Sequence, residues 1–210
     1  MKKNLTHWLG LLGIISLLSF TAAVLFAPLA FPGYNWLSQA VSDLSATNSP
    51  SLTLWNQLSA LYGPCGIVCV MTVCVAVQGR LSKTLRLGIY SFAAMNWVTN
   101  VGYTMFPLTD SGYAGTFQDL MHGAVTVAVV ALSILSLVLI IIGGYRKRRL
   151  ISLAVWATIA LAAMFGGAIG VSVAPPEYFG LLERFSLFAA TGFTAVLGMY
   201  LFLGKITMDR

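Results

Sequence analysis

The sequence predicts an all-α polytopic membrane protein: one domain over residues 1–210, with six transmembrane helices. It adds a short interfacial helix in the first outer loop and places both termini in the cytoplasm. Three observations carry this. The chain is 58% hydrophobic and only 9% charged, where a soluble domain carries about 25% charged residues. Its apolar residues gather into six long runs, each near or above the roughly 20 residues that cross a hydrocarbon core. Its charges alternate from one connection to the next. Eleven of the twelve Lys and Arg residues fall at Lys2 and Lys3, at Arg80, Lys83 and Arg86, at Arg146 to Arg149, and at Lys205 and Arg210. Five of the six acids, Asp43, Asp110, Asp119, Glu177 and Glu183, fall in the other connections or just inside the helices leaving them. A bilayer retains Lys and Arg on its cytoplasmic side, so the alternation orients every helix. The expected location is the cytoplasmic membrane and the expected partner is the lipid bilayer. The net charge of +6 is explained by topology signals and anionic headgroups, without nucleic acid.

The first span runs from about Trp8 to Ala30. It exceeds the roughly 7–15 residues of a signal-peptide core, so it reads as a retained helix. Phe31-Pro32-Gly33 ends it. Trp36, Leu37, Ala40, Val41 and Leu44 then mark one face of the interfacial helix, with Asn35 as its N-cap. Asn48-Ser49-Pro50 opens the second span, which runs to about Gln78 and kinks at Gly63-Pro64. The third span runs from about Leu87 to Met105 and carries Asn96, Asn100 and Tyr103 on one face. Pro107 to Gly115 forms the second outer loop. The fourth span starts near Thr116 and ends at Gly143-Gly144, before the anchor Tyr145-Arg146-Lys147-Arg148-Arg149. The fifth runs from about Leu150 to Val173, and its ladder Ala162, Gly166, Gly170, Ala174 allows a neighbouring helix to approach closely. Pro175-Pro176 ends it. The sixth runs from about Phe179 to Leu203.

The candidate chemistry lies at the outer ends. Asp119 and His122 are three apart and share a helix face. A carboxylate orients an imidazole and raises its basicity, so the pair fits a general base or a metal ligand; the alternative is an interfacial His beside a helix-start acid. Glu183 and Arg184 open the last span. Arg184 is the one basic residue expected outside, with Asp43, Asp110 or Asp119 as its candidate partners. It fits either a clamp for an anionic group or a structural ion pair. Ser42-Asp43 lies on the polar face of the interfacial helix, and Ser42 with His122 and an Asp is the composition of a serine hydrolase. No nucleophile elbow accompanies it. Asn100 belongs to a polar stripe that either lines a cavity or bonds between helices. Cys65, Cys69 and Cys74 fall within one span and read as small apolar fillers. No cluster has zinc spacing, so no metal is expected, and the residues name no cofactor.

Six spans, Ser42-Asp43-Leu44-Ser45, Phe106-Pro107 leading to His122, and Glu183-Arg184 together resemble the domain-of-unknown-function family 998 of prokaryotic membrane proteins. Ser45 stands where that pattern has Gly. The resemblance covers nearly the whole chain and implies a six-helix membrane bundle whose outer polar residues form one unit. It implies no activity. A looser likeness to membrane hydrolases of the alkaline-ceramidase kind is not carried over, because their zinc site needs several His residues and this chain has one outer His.

The sequence therefore predicts an outer polar pocket lined by Asp43, Asp119, His122, Glu183, Arg184 and Asn100. The leading reading is a protein that binds, senses or moves a small amphipathic molecule or lipid headgroup, with Arg184 holding the anionic group. One alternative is a lipid-acting hydrolase with His122 as base, oriented by Asp119. Another is a structural subunit of a membrane complex. The sequence does not set the oligomeric state.

Overall fold

The computed structural model describes residues 3–206. Lys2 and Arg210, two of the residues in the charge pattern, lie outside the described residues. All regular structure among them is helical. Eight α-helices follow one another: α1 (Leu5–Leu9), α2 (Leu12–Phe26), α3 (Leu52–Leu58), α4 (Tyr62–Val77), α5 (Lys83–Met105), α6 (Phe117–Tyr145), α7 (Ile151–Val173) and α8 (Phe179–Phe202). Five stretches are long and apolar enough to cross a membrane: Leu5–Ala30, Leu52–Val77, Phe117–Tyr145, Arg148–Val173 and Pro176–Phe202. Helix α5 has 23 residues but is the more polar one, with Lys83, Arg86, Asn96 and Asn100 along it.

Neighbours in sequence pack as neighbours in space, and α8 closes the bundle against α2 and α4. The core lies between α4, α5, α6, α7 and α8. Phe92, Leu85, Ile89, Leu137, Ile140, Leu153, Leu197 and Leu201 are all fully buried there, and Phe92 meets Phe193 edge-on at 5.2 Å. Lys3 Nζ sits 3.1 Å from the centre of the Phe202 ring, so the start of the described chain and the end of α8 share one end of the bundle. We call this the basic end, and the other the loop end.

Two spans are interrupted, each for a local reason. The first breaks between α1 and α2 at Gly10. A Cβ on Gly10 would meet the Gly198 carbonyl, and one on Gly198 would meet the Gly10 carbonyl. The two backbones touch, and only glycine permits it. Cys69 fills the adjoining gap, and its thiol donates weakly to the Gly10 carbonyl at 3.7 Å. The second span breaks at residues 59–61, between α3 and α4, rather than at Gly63-Pro64. Pro64 lies in the first turn of α4, where its missing N–H costs no helical hydrogen bond. The chain breaks ahead of the proline instead of kinking at it.

The predicted interfacial helix is not continuous. Residues 35–39 form a single turn, in which the Asn35 side chain accepts from Leu37 N at 3.0 Å, and Ser42–Ser45 forms one 3-10 turn. The carbonyls a helix would have used are drawn elsewhere, as described below. The ladder on α7 holds at Gly170 and shifts by one residue at Gly166, whose place Gly167 takes. Gly167 meets Leu182 and Ser186 of α8 and Gly170 meets Leu182, whereas a Cβ on Gly166 would meet nothing.

Gly198→Ala should lower the melting temperature in detergent, at a cost of about 2 kcal/mol, because neither backbone can withdraw. Gly192→Ala, whose new Cβ would meet nothing, should be neutral or stabilising by up to about 1 kcal/mol. Thermal unfolding of both variants side by side checks this.

Candidate functional site

The loop end is held by four charged side chains that bond to backbone groups. Arg184 is the centre. It lies in the second turn of α8 and is only 3% exposed. Its Nη1 donates to the carbonyls of Gly180 (2.6 Å), Trp36 (2.9 Å) and Gln39 (3.2 Å), and its Nη2 donates to the Tyr34 hydroxyl at 2.7 Å. The guanidinium stacks over Trp36, 4.1 Å from the ring centroid. A Cβ at Gly180 would collide with the Gln39 carbonyl, so glycine lets the 34–41 loop lie flat on α8. The Leu37 carbonyl accepts from Leu181 N at 2.9 Å, which satisfies one of the orphan amides at the helix start.

Tyr34 completes this clasp. Burial pushes its phenol up to about 12, against the lowering pull of Arg184. The hydroxyl therefore keeps its proton. It accepts from Arg184 and donates to the Ala40 carbonyl at 2.8 Å.

The three acids do the converse and accept backbone amides. Glu183 Oε2 accepts from Val41 N at 2.6 Å. Asp43 Oδ2 accepts from Ala40 N at 3.2 Å, and its Oδ1 accepts from Gly112 N at 3.0 Å. Gly112 and Tyr113 both have positive φ, 80° and 69°, a bend that turns the Gly112 amide toward Asp43. Asp119 is the third residue of α6 and closes a capping box with Thr116. Its Oδ2 accepts from Thr116 N (3.1 Å) and its Oδ1 from Thr109 N (2.9 Å). The two loops also meet directly: Thr47 N donates to the Leu108 carbonyl, Asn48 N to that of Thr109, and the Asn48 amide to Asp110 at 2.9 Å.

This geometry revises several expected pairings. Arg184 donates to three carbonyls and a phenol rather than to Asp43, Asp110 or Asp119. Both oxygens of Asp119 take backbone amides, while His122 Nδ1 pairs with the Phe106 carbonyl at 2.9 Å. The His122 ring stacks on Tyr103 at 4.7 Å. Ser42 contributes its carbonyl to Ser45 Oγ. Asn100 stands apart from the loops: its amide donates to the Asn96 carbonyl, and its oxygen lies against Gly63. Among the described residues no three His, Cys, Asp or Glu side chains converge as a metal would require.

One cavity adjoins the clasp. It is a groove of about 480 Å³ between α7 and α8. Leu181, Arg184, Phe185, Phe188, Ala189, Gly192, Phe193 and Val196 line it from α8, spaced alternately three and one apart, so they form one helical stripe. Trp156, Ile159, Ala160 and Ala163 face them from α7, and Trp36 joins Arg184 at the loop end. The walls are otherwise apolar. At 1.5 Å per residue, the stripe from Leu181 to Val196 is roughly 22 Å long.

A family model described as a protein of unknown function (DUF998) matches residues 14–200. The chain belongs to the DUF998 family. Neither a curated protein nor a solved structure matches it. The matched stretch of this DUF998 protein contains every residue of the clasp and groove. The sequence alone left Tyr34, Trp36 and Gly180 out of the site. Tyr34 and Trp36 follow Pro32-Gly33 closely, and an aromatic pair opposite a lone buried Arg is a cation–π signature that pairing in space makes visible.

Arg184→Met should destabilise this DUF998 protein by about 3 kcal/mol, because it strands buried carbonyls. Arg184→Lys, with a single ammonium and no planar fork, should fall between the two. Melting temperatures in detergent, with Glu177→Gln as a surface control, check the order.

Proposed function

We propose that this DUF998 protein is a six-span protein of the cytoplasmic membrane, with both termini inside, that binds a small anionic amphipathic molecule at its outer face. The sixth span in this reading is α5. Its length supports that, as does its place between α4 and α6. The orientation rests on the basic residues gathered at the end where Lys3 meets Phe202.

The observation that carries the binding reading is the groove. It is apolar along most of its length and ends at one buried cation stacked on a tryptophan. An apolar tail along α7 and α8 removes both its own surface and theirs from unfavourable packing. A carboxylate or phosphate at the Arg184 end meets a positive charge whose hydrogen bonds all go to neutral acceptors. The Nε of Arg184 is buried with no partner, which leaves one donor for such an anion. Burial makes that interaction stronger than it would be in water.

In this reading Arg184 has two roles. It holds the 34–41 loop, and it sets the polar limit of the groove. Asp43, Glu183 and Asp119 keep the loops in position. The hydrolase alternative has less support, because His122 and Asp119 are each bonded to backbone rather than to one another. The structural-subunit alternative is favoured by the same backbone bonds and is the reading left if no ligand is found.

Native mass spectrometry of protein released gently from detergent tests this. The expected result is a retained amphiphile, absent in Gly192→Leu, with an unchanged melting temperature because that position opens onto empty space. A clean apo mass for the unaltered protein would sink the binding reading. Sidedness is tested separately. An impermeant maleimide should label Ser111→Cys in intact cells and label Arg148→Cys only after permeabilisation; the reverse pattern would invert the topology.

A further inference from the structure

The basic end holds a second cavity, of about 540 Å³, far from the clasp. Three separate connections build its rim: Arg80 after α4, Lys147 and Arg149 after α6, and Lys205 after α8. All four are exposed. Its floor is apolar, with Leu85, Leu150 and Ile206 each buried. Among the described residues no acid lines it.

Parts of this rim are held in place. Arg149 Nη2 donates to the Lys205 carbonyl at 2.8 Å, which ties the connection after α6 to the end of α8. Lys205 Nζ lies 5.2 Å from the centre of the Tyr200 ring. Topology signals need only be on the correct side of the membrane, and nothing in that role gathers them around one hollow. Arg146 and Arg148 serve as the comparison, since they belong to the same connection and do not line the cavity.

We infer that this basin is a binding site for a phosphate group, with an anionic phospholipid headgroup of the adjacent leaflet as its source. Four cations gathered around one hollow, with no acid among the described residues lining it, attract an anion. The apolar floor at the helix ends suits the glycerol and upper acyl carbons beneath a headgroup and gives nothing to a freely soluble anion. Basic hollows between helix ends on the cytoplasmic side recognise lipid headgroups on this physical basis. The inference rests on the membrane reading above, and its test in detergent is independent of sidedness and of the α7–α8 groove.

The experiment is native mass spectrometry of the full chain in detergent, with phosphatidylglycerol, phosphatidylcholine or inorganic phosphate added. All measurements use Gly192→Leu, so that the other cavity is filled. Phosphatidylglycerol should remain bound where phosphatidylcholine does not. Lys147→Gln/Lys205→Gln should weaken its retention by about tenfold or more. Arg146→Gln/Arg148→Gln removes the same charge from the same end and should leave retention unchanged. Equal retention of the two lipids, or equal loss in the two double variants, would overturn the site. Displacement by millimolar inorganic phosphate would identify the phosphate group alone as sufficient, and resistance to it would identify the lipid as the ligand. If the groove reading fails while phosphatidylglycerol still discriminates the double variants, the basin stands by itself.

Discussion

The loop end depends on one constraint: backbone groups of irregular segments, packed against helices away from water, must find partners. Arg184 meets the carbonyl side of it. Its fork takes two carbonyls of the 34–41 loop and one of its own helix, and its second nitrogen takes Tyr34. Asp43, Asp119 and Glu183 take the amides. The division is complete in kind, with the cation on carbonyls and the anions on N–H groups. Charge-assisted hydrogen bonds are stronger than neutral ones, so four side chains suffice to hold loops that have no sheet or helix of their own.

That arrangement explains why the charges do not pair as ions. A buried ion pair must recover the desolvation of both partners. Here each charge is solvated by peptide dipoles instead, and the attraction between Arg184 and its acids acts at longer range. The consequence for function is direct. An arginine already neutralised by a bidentate carboxylate attracts no ligand, whereas one surrounded by carbonyls and stacked on Trp36 keeps its field. The groove between α7 and α8 opens onto that residue.

The two ends of the bundle are built by opposite means. Toward the basic end the helices meet through apolar side chains and through glycines, with Gly10 against Gly198 and Gly143 against Leu85. There most charged residues are exposed, and four of them gather around a hollow. Toward the loop end Asp43, Asp119 and Arg184 are buried and the loops cover them. Phe20, with Trp55, Tyr62 and Phe188 around it, marks the transition between the two regimes beneath the loops.

Much of the fold was legible in the sequence because its causes are local. Helix lengths follow from apolar runs, and Thr116 and Pro175-Pro176 mark ends that the structure keeps within a residue or two. Asp43, Asp119, Glu183 and Arg184 were legible as important, since a charge is costly wherever water is scarce. Their partners were not, because those partners are backbone atoms distant in sequence. Residues 36–44 read as a helix by periodicity, and tertiary competition for the Trp36, Leu37 and Gln39 carbonyls undid it. On α7 Gly170 meets α8 as its spacing suggested, but Gly167 rather than Gly166 does so beside it, because small residues mark a helix as approachable without saying from which side. Sequence by itself determined the helical class, the order of the long helices and the segregation of charge, all set by how each residue partitions between water and lipid. Only the tertiary structure decided what Arg184 holds, where the α7–α8 groove lies and that four separate cations share one basin, because each is a meeting of residues that no local energy brings together.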